Sequence, residues 1–77
     1  MTIQTLGATY QLRPIHGAQR GIFWLTTTAT RGGWNVGRHR VYAPGVPEIG
    51  RPFCPVVAGG PRKGQTIVSS EVVRVSL

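Results

Sequence analysis

The residues best suited to binding chemistry lie together between positions 31 and 42. This stretch combines arginines, a histidine and large aromatics at close spacing: Arg31, Trp34, Arg38, His39, Arg40 and Tyr42. Arginine side chains grip phosphate oxygens in bidentate fashion, and exposed aromatic rings stack on bases. The pattern therefore favours contact with nucleic acid. Arg62 and Lys63 add a second basic turn farther along the chain.

The charge balance points to the same class of partner. Nine Lys and Arg residues face only two acids, Glu48 and Glu71, which gives a formal net charge of +7. A field of this sign attracts polyanions, with nucleic acid first and acidic protein surfaces second. The alternative is that the arginines form an ordinary solvated face and that Trp34 and Tyr42 are core aromatics.

Catalytic and metal chemistry find little support in the sequence. Glu48 lies in a proline-rich loop and Glu71 beside a serine turn, so the two carboxylates are not expected to act as an acid–base pair. Cys54 is flanked by Phe and Pro, and we expect a buried, inert thiol. Cys54, His16 and His39 lack the close spacing typical of zinc ligands. The sequence predicts no catalytic residue, no metal site and no cofactor.

The elements that must position these residues are predicted to be strands. The chain has 11 glycines and 6 prolines, and its hydrophobic residues, 40% of the total, are rich in β-branched and aromatic types. Short strands between Gly/Pro turns are typical of an all-β domain. Alternation over 7–15 predicts a half-buried strand with Tyr10 and Leu12 on one face and Arg13 on the other, which Pro14 either ends or places at a sheet edge. The clearest strand is 21–30. Residues 1–6 are expected to be a loose end or the first half of an edge strand.

The returning strand from Trp34 to Tyr42 has two possible registers. A regular strand places Arg38 and Arg40 on the same face as Trp34 and Tyr42, as an exposed stacking platform. A bulge at Gly37 instead lets Trp34 serve the core while Arg38 and Arg40 turn outward. We favour the bulge, although the regular strand would make the better binding surface.

The end of the chain resembles a small five-stranded Src-homology-3-like barrel. Residues 65–68 predict a short strand, Ser69-Ser70-Glu71 one helical turn, and 72–77 a last strand with Val73, Val75 and Leu77 inward. This resemblance covers the last dozen residues and implies a barrel fold. The length of 77 residues predicts a single domain, 1–77. Gln65-Thr66-Ile67-Val68 also resembles a Gln-Ile-Tyr segment of type II dihydrofolate reductases, with an extra threonine and valine in place of tyrosine.

The prediction is thus a basic, non-enzymatic binding domain that contacts DNA or RNA. One alternative is a protein-interaction or inhibitor module of a phage or mobile element, which docks on an acidic protein surface. Another is a small oligomeric enzyme with its site on a symmetry axis, and homo-oligomerisation stays open in each case. With one cysteine, no signal peptide and no apolar stretch of membrane-spanning length, we expect a cytoplasmic protein.

Overall fold

The structure is a computed structural model that describes residues 1–29 and 37–77. The predicted turn at Arg31-Gly32-Gly33 lies outside these ranges. The predicted binding residues Arg31 and Trp34 lie outside them as well, so their placement stays a prediction.

The described chain forms one antiparallel sheet of six strands in the order β5-β4-β3-β2-β1-β6. This confirms the all-β class, and no helix occurs within the described ranges. The strands are β1 (Thr2–Thr5), β2 (Thr9–Pro14), β3 (Ile22–Ala29), β4 (Gly37–Tyr42), β5 (Val56–Val57) and β6 (Val72–Ser76).

Alternation along the strands gives the sheet an inner and an outer face. On β2, Tyr10 and Leu12 are buried while Arg13 is exposed, as the sequence predicted for this strand. Pro14 is its last residue, which fits a residue that cannot donate a backbone hydrogen bond. On β3, Leu25 is fully buried, and Trp24 on the opposite face is half-buried.

The core lies between the inner face of the sheet and the chain that follows β4. Tyr10 of β2 meets Phe53 edge to face, with ring centroids 6.2 Å apart. The buried apolar residues are Ile3, Ala8, Tyr10, Leu12, Leu25, Val41, Ala43, Phe53, Val57, Ile67 and Val72. The second half of the chain therefore covers one face of the sheet and leaves the outer face to solvent.

The predicted closed five-stranded barrel is not confirmed, because the sheet is open. Within the described ranges, the edge strands β5 and β6 share no ladder. Irregular chain links them instead: the Ser69 N–H donates to the Phe53 carbonyl at 3.0 Å and the Ile67 N–H to the Pro55 carbonyl at 2.8 Å. Prolines such as Pro52 and Pro55 have no N–H to donate, so this pairing does not extend into a regular strand.

The amino-terminal segment is more important to the fold than predicted. Rather than a loose end or an edge, β1 lies between β2 and β6, and Ile3 is fully buried. The terminal ammonium of Met1 donates to the Leu12 carbonyl at 3.1 Å.

The predicted inward orientation in the last strand was wrong for Val73 and Leu77. The register of β6 against β1 shifts between Gln4 and Thr5, so Val72 is buried and Val73 is 48% exposed. Leu77 is also exposed. The predicted helical turn at 69–71 does not form.

Candidate nucleic-acid interface

Regular pairing between β3 and β4 decides which residues of β4 face outward. The ladder runs without interruption from Ile22 opposite Tyr42 to Thr27 opposite Gly37. Arg38, Arg40 and Tyr42 therefore share the outer face and are exposed, while His39 has the opposite parity and is half-buried.

Gly37 has a φ of +99°, a backbone conformation that favours glycine over other residues. The strand therefore departs from regular geometry at the residue where a bulge was predicted. Whether the faces switch there depends on Trp34, which lies outside the described residues.

Trp24 and Arg38 form a stacked pair at the centre of this face. The Cζ atom of Arg38 lies 4.1 Å from the centroid of the Trp24 ring. The two residues are diagonal neighbours, since Trp24 pairs with Arg40 and Thr26 pairs with Arg38. A guanidinium over an indole face is attracted by the ring quadrupole and is worth about 0.5–1 kcal/mol at exposed sites. The contact places a planar, charged group on the outer face of the sheet.

Arg40 is positioned by the backbone of the turn that follows β5. A Cβ atom added at Gly59 would lie 2.5 Å from Nη2 of Arg40 and 2.9 Å from its Nε. Only glycine leaves room for the guanidinium where it lies. The Ala58 N–H also donates to the Arg40 carbonyl at 2.7 Å, which fixes the turn to β4.

Trp24, Arg38 and Arg40 belong to the lining of one groove, called here the basic groove. Its lining residues are Trp24, Arg38, His39, Arg40, Gly59, Gly60, Pro61 and Arg62, and its volume is about 430 Å³. Arg62 reaches it from the turn and donates from Nη1 to Oε1 of Gln65 at 3.3 Å. The groove thus joins the two basic segments that the sequence singled out, because the turn after β5 folds beside β4.

The acidic residues lie elsewhere. Among the described residues, no carboxylate lines the basic groove. Glu48 pairs with Arg51 at 3.4 Å on the exposed surface, and both border a separate concavity of about 290 Å³. Glu71 lies just before β6 and its carboxylate is near Gly50. The groove therefore combines three arginines without a counter-charge among its described lining residues.

Two of the predicted residues, Tyr42 and Lys63, are not part of the groove lining. Tyr42 is 44% exposed, but its ring covers the backbone of Gly21 at the far end of the strand pair. Lys63 is exposed on the same turn as Arg62 and does not contribute to the lining.

Three outer-face residues, Trp24, Arg13 and Arg74, were not among the predicted binding residues. The parity of Trp24 relative to Leu25 places it on the face opposite the core. Arg13 pairs with Trp24 across β2 and β3, and Arg74 pairs with Gln4 on the same face. Alternation within β2 is sufficient to place Arg13 on the outer face, but its pairing with Trp24 follows only from the strand order.

The thiol prediction was wrong, since Cys54 is exposed. It borders the concavity beside Glu48 and Arg51 rather than the core. Within residues 1–29 and 37–77, no three His, Cys, Asp or Glu side chains come together as a metal-binding group. No helix in the same ranges has the length and apolar character needed to cross a membrane.

Comparison of the chain with protein-family models, curated proteins and solved structures gives no significant match. The function of the basic groove is therefore inferred from its own residues.

Proposed function

We propose that the protein is a non-enzymatic domain that binds nucleic acid through the basic groove. The observation that carries this proposal is the convergence of Arg38, Arg40 and Arg62 around Trp24 in a single concavity. Arginine supplies charge and a bidentate fork for phosphate, and the ring beneath Arg38 supplies an aromatic surface. Arg13 and Arg74 extend the positive surface across the outer face of the sheet.

The arrangement suits a polyanion better than a single anion. Neighbouring strands lie about 4.8 Å apart, so the backbones of Arg13 on β2 and Arg40 on β4, which pair with Trp24 from either side, are about 10 Å apart. Charges spread over this distance each neutralise a different phosphate. Binding then releases counterions and weakens steeply as salt rises.

The experiment is a titration with short DNA and RNA at about 50 and 200 mM salt. We expect Arg40→Gln to weaken binding and to reduce the slope of log K against log salt by about 0.7–0.9, the value of one phosphate contact. Arg51→Gln is the matched control, because it removes the same charge outside the groove. Absence of binding at low salt, or equal losses in both variants, would contradict the proposal.

An acidic protein surface is the second candidate partner. The observation favouring it is the exposure of apolar residues in the loop after β4, where Val46 is 78% and Ile49 is 68% exposed. A protein partner would cover such residues, whereas nucleic acid would not require them. A stoichiometric protein partner that survives nuclease treatment, and is lost in Ile49→Ser, would favour this function over the first.

We further propose a barrel-like fold and a cytoplasmic location. The hydrogen bonds that join the chain around Phe53 to that around Ser69 support a barrel-like arrangement related to the Src-homology-3 type, with an open seam. A nucleic-acid-binding domain with a free thiol at Cys54 suits the cytoplasm, where thiols stay reduced.

A further inference from the structure

We propose that the basic groove selects single-stranded over double-stranded nucleic acid, with a base stacking on the Trp24–Arg38 pair. This inference rests on the proposed function and adds the class of ligand.

The stacked pair offers a planar surface that only an unpaired base can use fully. Arg38 is exposed and Trp24 half-buried, so the guanidinium is the outer layer and the indole supports it from below. Guanidinium planes and aromatic rings both accept stacked bases when these are splayed out of a strand. In a duplex each base is already stacked and paired, so the outer face of the sheet would meet mainly phosphate and sugar.

The neighbouring arginines mark a path for a phosphate backbone beside the stack. Arg38 and Arg40 are two residues apart on one face of β4, a separation of about 6.8 Å along the strand. The Arg40 guanidinium lies against Gly59 of the turn, and Arg62 of the same turn also lines the groove. This order lets one backbone follow the arginines while its base stacks on the Arg38 guanidinium above Trp24.

The size of the groove supports the same choice. At about 430 Å³ it is near the lower end of the roughly 300–1,000 Å³ typical of pockets for small molecules. It therefore suits a unit about the size of a nucleotide. A duplex would contact only the rim of the groove, where the contacts are electrostatic.

The test compares a strand of about 12 nucleotides, within the usual range of single-strand site sizes, with its blunt duplex. The chain has two tryptophans, so Trp34→Phe makes Trp24 the sole source of indole fluorescence. In that background we expect the single strand to quench the emission and to bind at least about tenfold more tightly than the duplex.

Two substitutions separate stacking from charge. Trp24→Leu removes the ring, and we expect a loss of roughly 5- to 100-fold for the single strand with little change for the duplex. Arg38→Lys keeps the charge but not the planar group, so single-strand affinity falls severalfold while the salt slope is unchanged. Circular dichroism reports whether Trp24→Leu folds. If it does not fold, Trp24→Phe takes its place as a variant that retains an aromatic ring.

The outcomes distinguish this inference from the proposed function. Tighter binding of the single strand, with quenching that depends on stacking at Trp24, supports it. Equal affinity for strand and duplex without quenching overturns it, while nucleic-acid binding itself stands. Failure of both to bind at low salt overturns both proposals.

Discussion

Replacing Gly59 with alanine should weaken nucleic-acid binding without harming the fold. Gly59 is not among the residues with positive φ, so alanine fits its backbone conformation. The methyl group would lie 2.5 Å from Nη2 of Arg40, whereas atoms in van der Waals contact lie about 3.5–4.0 Å apart. The guanidinium must therefore retreat by about 1–1.5 Å.

This displacement is large compared with the tolerance of a hydrogen bond. Charge-assisted bonds to phosphate have optimal lengths of about 2.7–2.9 Å, so a retreat of 1 Å breaks one unless the side chain finds another rotamer. A hydrogen bond to a charged group is worth about 1.5–3 kcal/mol, and partial recovery by the flexible side chain favours the low end. We expect affinity to fall about tenfold.

Stability should change in the opposite direction. Alanine restricts the unfolded chain more than glycine does, which raises the free energy of unfolding by about 0.4–1 kcal/mol where the native backbone is compatible. Gly45→Ala is the matched control, since its φ is also not positive and nothing lies within 4 Å of the added methyl. It should gain similar stability with unchanged affinity.

Fluorescence anisotropy with a labelled oligonucleotide measures the affinity, and urea denaturation measures the stability. Unchanged affinity in Gly59→Ala would show that Arg40 does not act from its observed position. A loss of more than about 1 kcal/mol of stability would show that the methyl displaces backbone rather than the end of a flexible side chain.

Three further predictions concern the scaffold, and urea denaturation checks each of them. Ser69→Ala leaves the buried Phe53 N–H without the hydroxyl that accepts it at 2.7 Å, and should cost about 1–3 kcal/mol. Val72→Thr should lower the free energy of unfolding by about 1–3 kcal/mol because it buries a hydroxyl. Val73→Thr, at an exposed position, should change it by no more than about 0.5 kcal/mol, and equal costs would contradict the register shift in β6. Glu48→Gln removes an exposed ion pair and should cost no more than about 1 kcal/mol.

Local alternation was sufficient to predict several strands. In β2 the sequence identified the buried Tyr10 and Leu12 and the terminal Pro14, because period-2 burial is visible within one strand. It also grouped Arg38 and Arg40 on one face. These features depend only on the residues of the strand itself and on the geometry of the pleat.

Features that depend on distant pairing could not be predicted. Trp24 became a candidate only once β2 and β4 were placed on either side of β3. The burial of Ile3 reflects pairing of β1 with β6, which joins the two ends of the chain. The exposure of Val73 follows from one extra residue in a strand pair, and such a bulge leaves no distinct sequence signal without a glycine.

The central claim is that nucleic acid occupies the basic groove, and its most direct test is a map of backbone amide chemical shifts during titration with a short single strand. The account predicts that the largest changes fall on β3, β4 and the turn at 59–62. Changes centred on the loop at 43–55, or scattered evenly over all the arginines, would contradict it.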